Sequence, residues 1–343
     1  RSQREPLPGL QMLARLHRSL LALYLASLGA TAALPIAAFS SALAAQQLTP
    51  GRRPVIASAS KLLTWSEQID VREEWLHKKH ELLLPMMREH NVGMWIVVNE
   101  EFHDDPIVQQ LAPPRPYTGN RDVFVFVDAG ADGLKKFAIT GYTEENLARF
   151  FEAPTTEPLP PAATLRRLWE QYQPRSIAVG IGGGRGQTRT IGFDSYNFVS
   201  EAMGPEATSR FMSAAPLITE YLDTRIPEEL EHYRTAVEVT EEIVRRALSS
   251  EFITPGLTTV GDVRRALYDM LWAAGVRTWF QPDLRVQRAE GEVATSRGFL
   301  AVAPEHIVIL PGDLVHIDFG ITYMGFDTDW QKMAYVLKPG ERD

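Results

Sequence analysis

The sequence predicts an α/β domain followed by the first part of an α+β domain. Three observations predict this. Short β-type runs alternate with helical segments between about 94 and 182. The character changes near Ala214, where two long amphipathic helices begin. An alternating, hairpin-like pair of strands follows them. The chain has 343 residues, 45% hydrophobic and 23% charged, which is a globular composition and long enough for two domains. Its net charge of −8 gives no reason to expect a nucleic-acid partner. It has no cysteine, so disulfides, thiolate metal sites and cysteine nucleophiles are excluded.

Residues 1–44 read as a signal peptide. Arg15, His17 and Arg18 flank the uncharged run "SLLALYLASLGATAALPIAAF", and "SALA" then places small residues at Ala42 and Ala44. A retained membrane anchor is the alternative, because the run approaches the length of a span. Either way the folded part is expected to be exported, periplasmic or extracellular, with no stable membrane insertion once the signal is removed. Residues 45–60, with "QQLTPGRRPVIASAS", read as a linker.

The first domain is expected over 61–213. A helix is predicted at about 69–90, with Pro85 as a kink or break. Strands follow at 94–99, 122–128, 135–140 and 176–182, with helical segments "TEENLARFF" and "TLRRLWEQY" between them. "GIGGGRG" puts Arg185 on the last glycine of G-x-G-x-x-G, so it reads as a plain turn.

The second domain is expected over 214–343. Asp223 or Thr224 caps a helix that begins at Pro227, and Leu230, Tyr233, Val237, Val244 and Leu248 trace its apolar face. Thr259 caps the next helix, Asp262 completes the box and Gly275 ends it; Val263, Leu267, Met270 and Leu271 form its stripe. In "DLVHIDFGITYM", Leu314, His316 and Asp318 share one face. A turn centred on Tyr323 and Met324 would set Asp318 directly opposite Asp329, with Cβ atoms roughly 5 Å apart. Facing carboxylates need a positive charge between them, and a divalent cation is one solution; acids on the wet face of a hairpin are the other. "DTDWQK" is not a calcium loop, because Lys332 stands at the required glycine and Lys338 at the required glutamate.

The pattern "GD-x-x-x-x-D-x-G" at 312–320, then "TD" at Thr328 and Asp329, resembles the metal-binding hairpin of the pita-bread metallopeptidases, the creatinase/aminopeptidase P/prolidase superfamily. "RIPEELEHYRTAVEVTEEIV" and "PGLTTVGDVRRALYDMLWAAGV" resemble the opening helices of that catalytic domain, and the region before them resembles its creatinase-type N-terminal domain with a mixed sheet. The resemblance implies a peptidase acting near an N-terminal Xaa-Pro bond, on peptide substrates, with two divalent metal ions, manganese foremost and cobalt or zinc as alternatives. It implies Asp318 and Asp329 as metal ligands, Thr328 as their support, and is compatible with a homo-oligomer. The family's other three ligands, His, Glu and Glu, would follow Asp343, so the chain is expected to be a C-terminally truncated, inactive piece of a longer protein. A non-catalytic binding relative and a metal-free creatinase-like C–N hydrolase are the alternatives.

Other polar clusters read as structural. His306 and His316 do not match the family's substrate-facing histidine, and "RVQR" and "RGFL" are weak candidates for a peptide carboxylate. "NEEFHDDP" at 99–106 reads as a solvated loop, and "HKKH" at 77–80 as a surface helix face.

Overall fold

Strands β1 (Met94–Glu100), β2 (Arg121–Asp128) and β3 (Leu134–Ile139) form an antiparallel meander. Strands β4 (Ile177–Val179) and β5 (Phe211–Ser213) join in parallel, giving a mixed sheet of order β3-β2-β1-β4-β5. The runs "MWIVV" and "VFVFV" are apolar at every position because both faces of this sheet are covered. Trp95, Val97, Phe124 and Phe126 face one core with Leu83 and Met87 of helix α1 (Trp65–Glu89). Met94, Ile96, Val98, Val123 and Val125 face another, with Leu165 and Trp169 of α2 (Pro161–Tyr172) and Val199 and Met203 of α3 (Phe193–Met203). Helix α4 (Ala215–Asp223) packs Leu217, Ile218 and Tyr221 into the first core. The computed structural model describes residues 54–114, 118–141, 145–153, 159–289 and 302–342. The predicted signal and most of the linker lie outside them.

Helix α1 runs through Pro85 without a break, held by buried Leu83, Met86 and Met87 on either side. Thr64 and Glu67 form its capping box. The described end of the linker is not a free spacer. Ile56 is buried in the core of the second helical layer, and Ala57 and Ser58 donate backbone N–H groups to Glu242 at 2.9 and 2.8 Å.

Helix α5 (Pro227–Ala247) and α6 (Val260–Ala274) cover one face of an antiparallel sheet of β6 (Asp283–Gln287), β7 (Leu314–Phe319) and β10 (Trp330–Tyr335), with β7 central. Thr259, Asp262 and Gly275 cap α6 as the sequence predicts, and its stripe Val263, Leu267, Met270 and Leu271 is buried. The start of α5 corrects the expected cap. Asp223 pairs with Arg185, and the carboxylate of Glu229 instead accepts the Ile226 N–H at 2.8 Å. Its buried stripe is also rotated: Ala236, Val239, Thr240, Ile243, Val244 and Ala247 are inside, while Leu230 is exposed. Thr240 and Glu229 count inward because each finds a hydrogen-bond partner there, which an apolar-only reading misses.

Candidate metal centre

The hairpin turns one residue later than expected. Strands β8 (Thr322–Tyr323) and β9 (Phe326–Asp327) pair around Met324 and Gly325, whose φ values of +53° and +82° suit a two-residue primed turn. Gly325 accepts that geometry without strain, and it, not Tyr323, marks the turn. The pairing therefore shifts by two positions. Asp318 faces Gln331 on β10 and Asp283 on β6, and Asp329 lies in the crossover between β9 and β10. The directly opposed Asp318–Asp329 pair is thus corrected to a diagonal one.

That crossover is fixed by Thr328, which is buried. Its hydroxyl accepts the Ile321 N–H at 2.9 Å and lies 2.8 Å from the hydroxyl of Thr240. Thr240 donates its single proton to the Ala236 carbonyl at 2.8 Å, so the Thr328 proton runs to Thr240. The Thr328 backbone closes the same knot: its N–H reaches the Ile321 carbonyl and its carbonyl accepts from Trp279 Nε1 at 2.8 Å. Gly320 lies against this knot. A Cβ there would stand 1.9 Å from the Thr328 carbonyl oxygen and 2.6 Å from Trp279 Nε1. The glycine of the D-x-G pattern is therefore a close-approach residue. The pattern's opening "GD" is structural as well. Gly312 takes φ +91°, and buried Asp313 accepts two charge-assisted bonds from Arg288, both at 2.7 Å.

Asp318 is largely buried and Asp329 exposed. Burial, then the charge of Asp329, hold the Asp318 carboxyl above the usual carboxylate range, with Asp283 adding to it and Arg285 opposing. Gln331 Nε2 donates to Asp318 at 3.2 Å, which leaves its amide oxygen to accept from His316 Nε2, also at 3.2 Å. His316 is thus the Nε2–H tautomer, and its Nδ1 is a buried acceptor that meets no donor among the described residues. Oδ1 of Asp283 is a second such acceptor. Arg285 Nε and Nη2 both bond Asp283 Oδ2, at 3.0 and 2.7 Å, and Nη2 lies 3.9 Å from Asp318 Oδ2.

Sequence reasoning missed Asp283. No signal in "QPDLRVQ" marks it except the alternation of polar Asp283, Arg285 and Gln287 with buried Leu284 and Val286, which identifies a half-buried strand. Both arginines of "RVQR" are engaged with carboxylates, so neither is available to a peptide terminus without losing a partner. Arg297 of "RGFL" lies outside the described residues. His306 is exposed and His316 is held in its strand. Among the described residues, no group of three or more His, Asp or Glu side chains stands close enough to hold a metal ion.

The two other clusters are corrected in part by burial, since Phe102, His103 and Asp104 of the first and His77 and Lys78 of the second are exposed. At the end of β1, Asn99 and Asp105 are buried, Thr190 donates to Asp105 at 2.5 Å, and Glu100 accepts from Ser195 at 2.6 Å and Arg121 at 2.7 Å. In "HKKH", Lys79 and His80 face inward. Lys79 bonds the carbonyls of Tyr221 and Thr224, while His80 Nε2 donates to the Leu111 carbonyl and Nδ1 accepts from Lys136. Burial, then the charge of Lys136, push His80 down to about 3.

No family model and no curated protein matches the chain. Solved structures do. The Xaa-Pro dipeptidase from Bacillus anthracis aligns with a TM-score of 0.56 and 18% identity, over 78% of this chain and 66% of that one. A variant of Escherichia coli aminopeptidase P in complex with substrate aligns with a TM-score of 0.55 and 13% identity, over 78% and 62%. The X-Pro aminopeptidase from Thermotoga maritima gives 0.50 and 16%, over 71% and 62%. The chain spans less than two thirds of each. It has the pita-bread fold of these structures, with the mixed α/β sheet preceding it.

Proposed function

We propose that the chain carries part of a dinuclear metal-dependent peptidase site, acting on peptides near an N-terminal Xaa-Pro bond. The observation that supports this best is the Thr328 knot. A buried threonine, a close-approach glycine and α5 together fix the crossover that carries Asp329, beside a partly buried Asp318. The donor chemistry fits hard divalent cations: carboxylate oxygens, with the buried acceptors Asp283 Oδ1 and His316 Nδ1 nearby. Asp318 and Asp329 would hold the ions and Thr328 would position Asp329; the remaining donors would come from outside the described residues. Bound metals would supply activation of water and polarisation of the scissile carbonyl. Export through residues 1–44 and the division of the chain near 214 belong to the same proposal. Among the described residues no helix is long and apolar enough to cross a membrane.

One observation favours a second reading, a relative that binds peptides without metal. Arg285 already supplies a positive charge 3.9 Å from Asp318. The two readings separate by elemental analysis of the longer protein that would supply the remaining donors, with Asp318→Ala and Asp329→Ala as controls. The peptidase reading expects manganese, cobalt or zinc in the parent and a loss in both variants, with Xaa-Pro peptide hydrolysis following the metal. Unchanged metal content in both variants would overturn the ligand assignment. Peptide binding without metal would establish the second reading.

A further inference from the structure

Arg285 and Asp283 share the open face of β6 with the β7 face that carries His316 and Asp318, because both pairs are two residues apart on neighbouring strands. Asp283 is in direct register with Asp318. Two carboxylates so placed repel one another unless a cation stands with them. The chain provides its own. The guanidinium of Arg285 makes two bonds to one oxygen of Asp283, and its Nη2 stops 3.9 Å short of Asp318. That distance is an ion pair without a hydrogen bond. All three side chains are partly buried, with 26%, 16% and 18% of their surfaces exposed, so water screens them only in part.

We propose that Arg285 is a resident counter-cation that competes with a divalent ion for Asp318, and that Asp283 holds it in reserve by anchoring its guanidinium. This rests on the reading of Asp318 as a metal ligand and adds how the affinity of that ligand is set. The charges give the signs. Asp283, Asp318, Asp329 and Arg285 together carry −2, enough to balance one divalent ion. Removing the arginine leaves −3 and no competitor. Removing Asp283 leaves −1 and frees the guanidinium to move onto Asp318, where it makes a charge-assisted bond that an arriving cation must break.

The two substitutions therefore move metal affinity in opposite directions, which a purely structural role does not do. Manganese(II) binding to the longer protein that would supply the remaining donors is followed by the electron paramagnetic resonance of the free ion. Arg285→Gln is expected to bind about tenfold more tightly than the parent and Asp283→Asn about tenfold more weakly. The double variant Asp283→Asn/Arg285→Gln returns close to the parent, since its remaining charge is again −2. Thermal melts without metal show which variants fold; Arg285→Met replaces Arg285→Gln if the latter does not.

Shifts of both single variants in the same direction, or no shift in either while Asp318→Asn abolishes binding, would overturn the role of Arg285 and leave the metal reading standing. Absence of manganese binding in the parent and in Arg285→Gln alike would overturn both. Binding by Arg285→Gln but not by the parent would support the inference in its strongest form.

Discussion

Two regions of this chain bring acids together and treat them differently. At the end of β1, the two acids of the 99–106 stretch that turn inward, Glu100 and Asp105, have been given partners. Asp105 takes Thr190 and the Ile107 N–H, and Glu100 takes Ser195 and Arg121. On the β6–β7–β10 face, Asp283 keeps one oxygen with no donor, and Asp318 is held by a single long amide bond and an arginine out of hydrogen-bond reach. What separates them is whether the fold has spent its donors on them: a donor-rich cluster ties strands and helices together, whereas an under-donated one leaves acceptors open to a further group.

The comparison breaks most severely if the hairpin is not the rigid frame it is taken to be. Gly320→Ala tests that. The new Cβ would collide with backbone, the Thr328 carbonyl, which has no flexible end to withdraw. A loss of about 3 kcal/mol or more in urea unfolding is expected, with metal binding lost in parallel. A variant as stable as the parent would show that the crossover is free to move. Asp313→Ala comes next. It strips a fully buried carboxylate from the bidentate Arg288 and from the Leu310 N–H, and about 2–4 kcal/mol should be lost because the guanidinium stays behind, half-buried.

These residues also show what was legible in the sequence. Strands β1 and β2 of the first sheet were, because continuous apolar runs suit a sheet with both faces covered, whereas the three-residue β5 was missed. Thr259, Asp262 and Gly275 were legible too, since their capping chemistry is local. Asp318, Asp329 and Thr328 were singled out by the spacing of the pattern and its resemblance, yet their relative placement was not legible. Register depends on the turn, and Met324 hid it by adopting a left-handed conformation that its side chain disfavours. Asp283 was invisible, and Arg285 was read only as a candidate for a peptide carboxylate, for another reason. Nothing local to "PDLRVQ" says which strand it will lie beside, since β6 and β7 are brought together across 26 intervening residues.

A smaller effect sharpens the account of the knot. Thr328→Val keeps the shape and removes the hydroxyl that serves Ile321 and Thr240. The Ile321 N–H then has no acceptor, and about 1–3 kcal/mol should be lost. Thr328→Ser keeps the hydroxyl and should recover most of it. Equal losses in both would show that the methyl group, not the hydrogen bonds, holds the crossover.

The smallest effects concern pH and fall on the donor-rich cluster. The Ser195 hydroxyl first, and Arg121 as well, hold Glu100 below its ordinary value, while burial holds Asp105 above its own. The signs are opposite. Glu100 contributes stability that is complete above the ordinary carboxylate range and is lost as pH falls through its lowered value. Asp105 contributes stability that is present in acid and is lost as pH rises from the ordinary range through its raised value. Glu100→Gln should therefore flatten the fall in stability as pH drops below the ordinary carboxylate range, and Asp105→Asn should steepen the fall as pH drops from above that range into it. Urea midpoints at half-unit intervals would measure both. Parallel curves for the two variants would mean that the partners around β1 do not discriminate between their acids, and the contrast with the hairpin would then rest on burial alone.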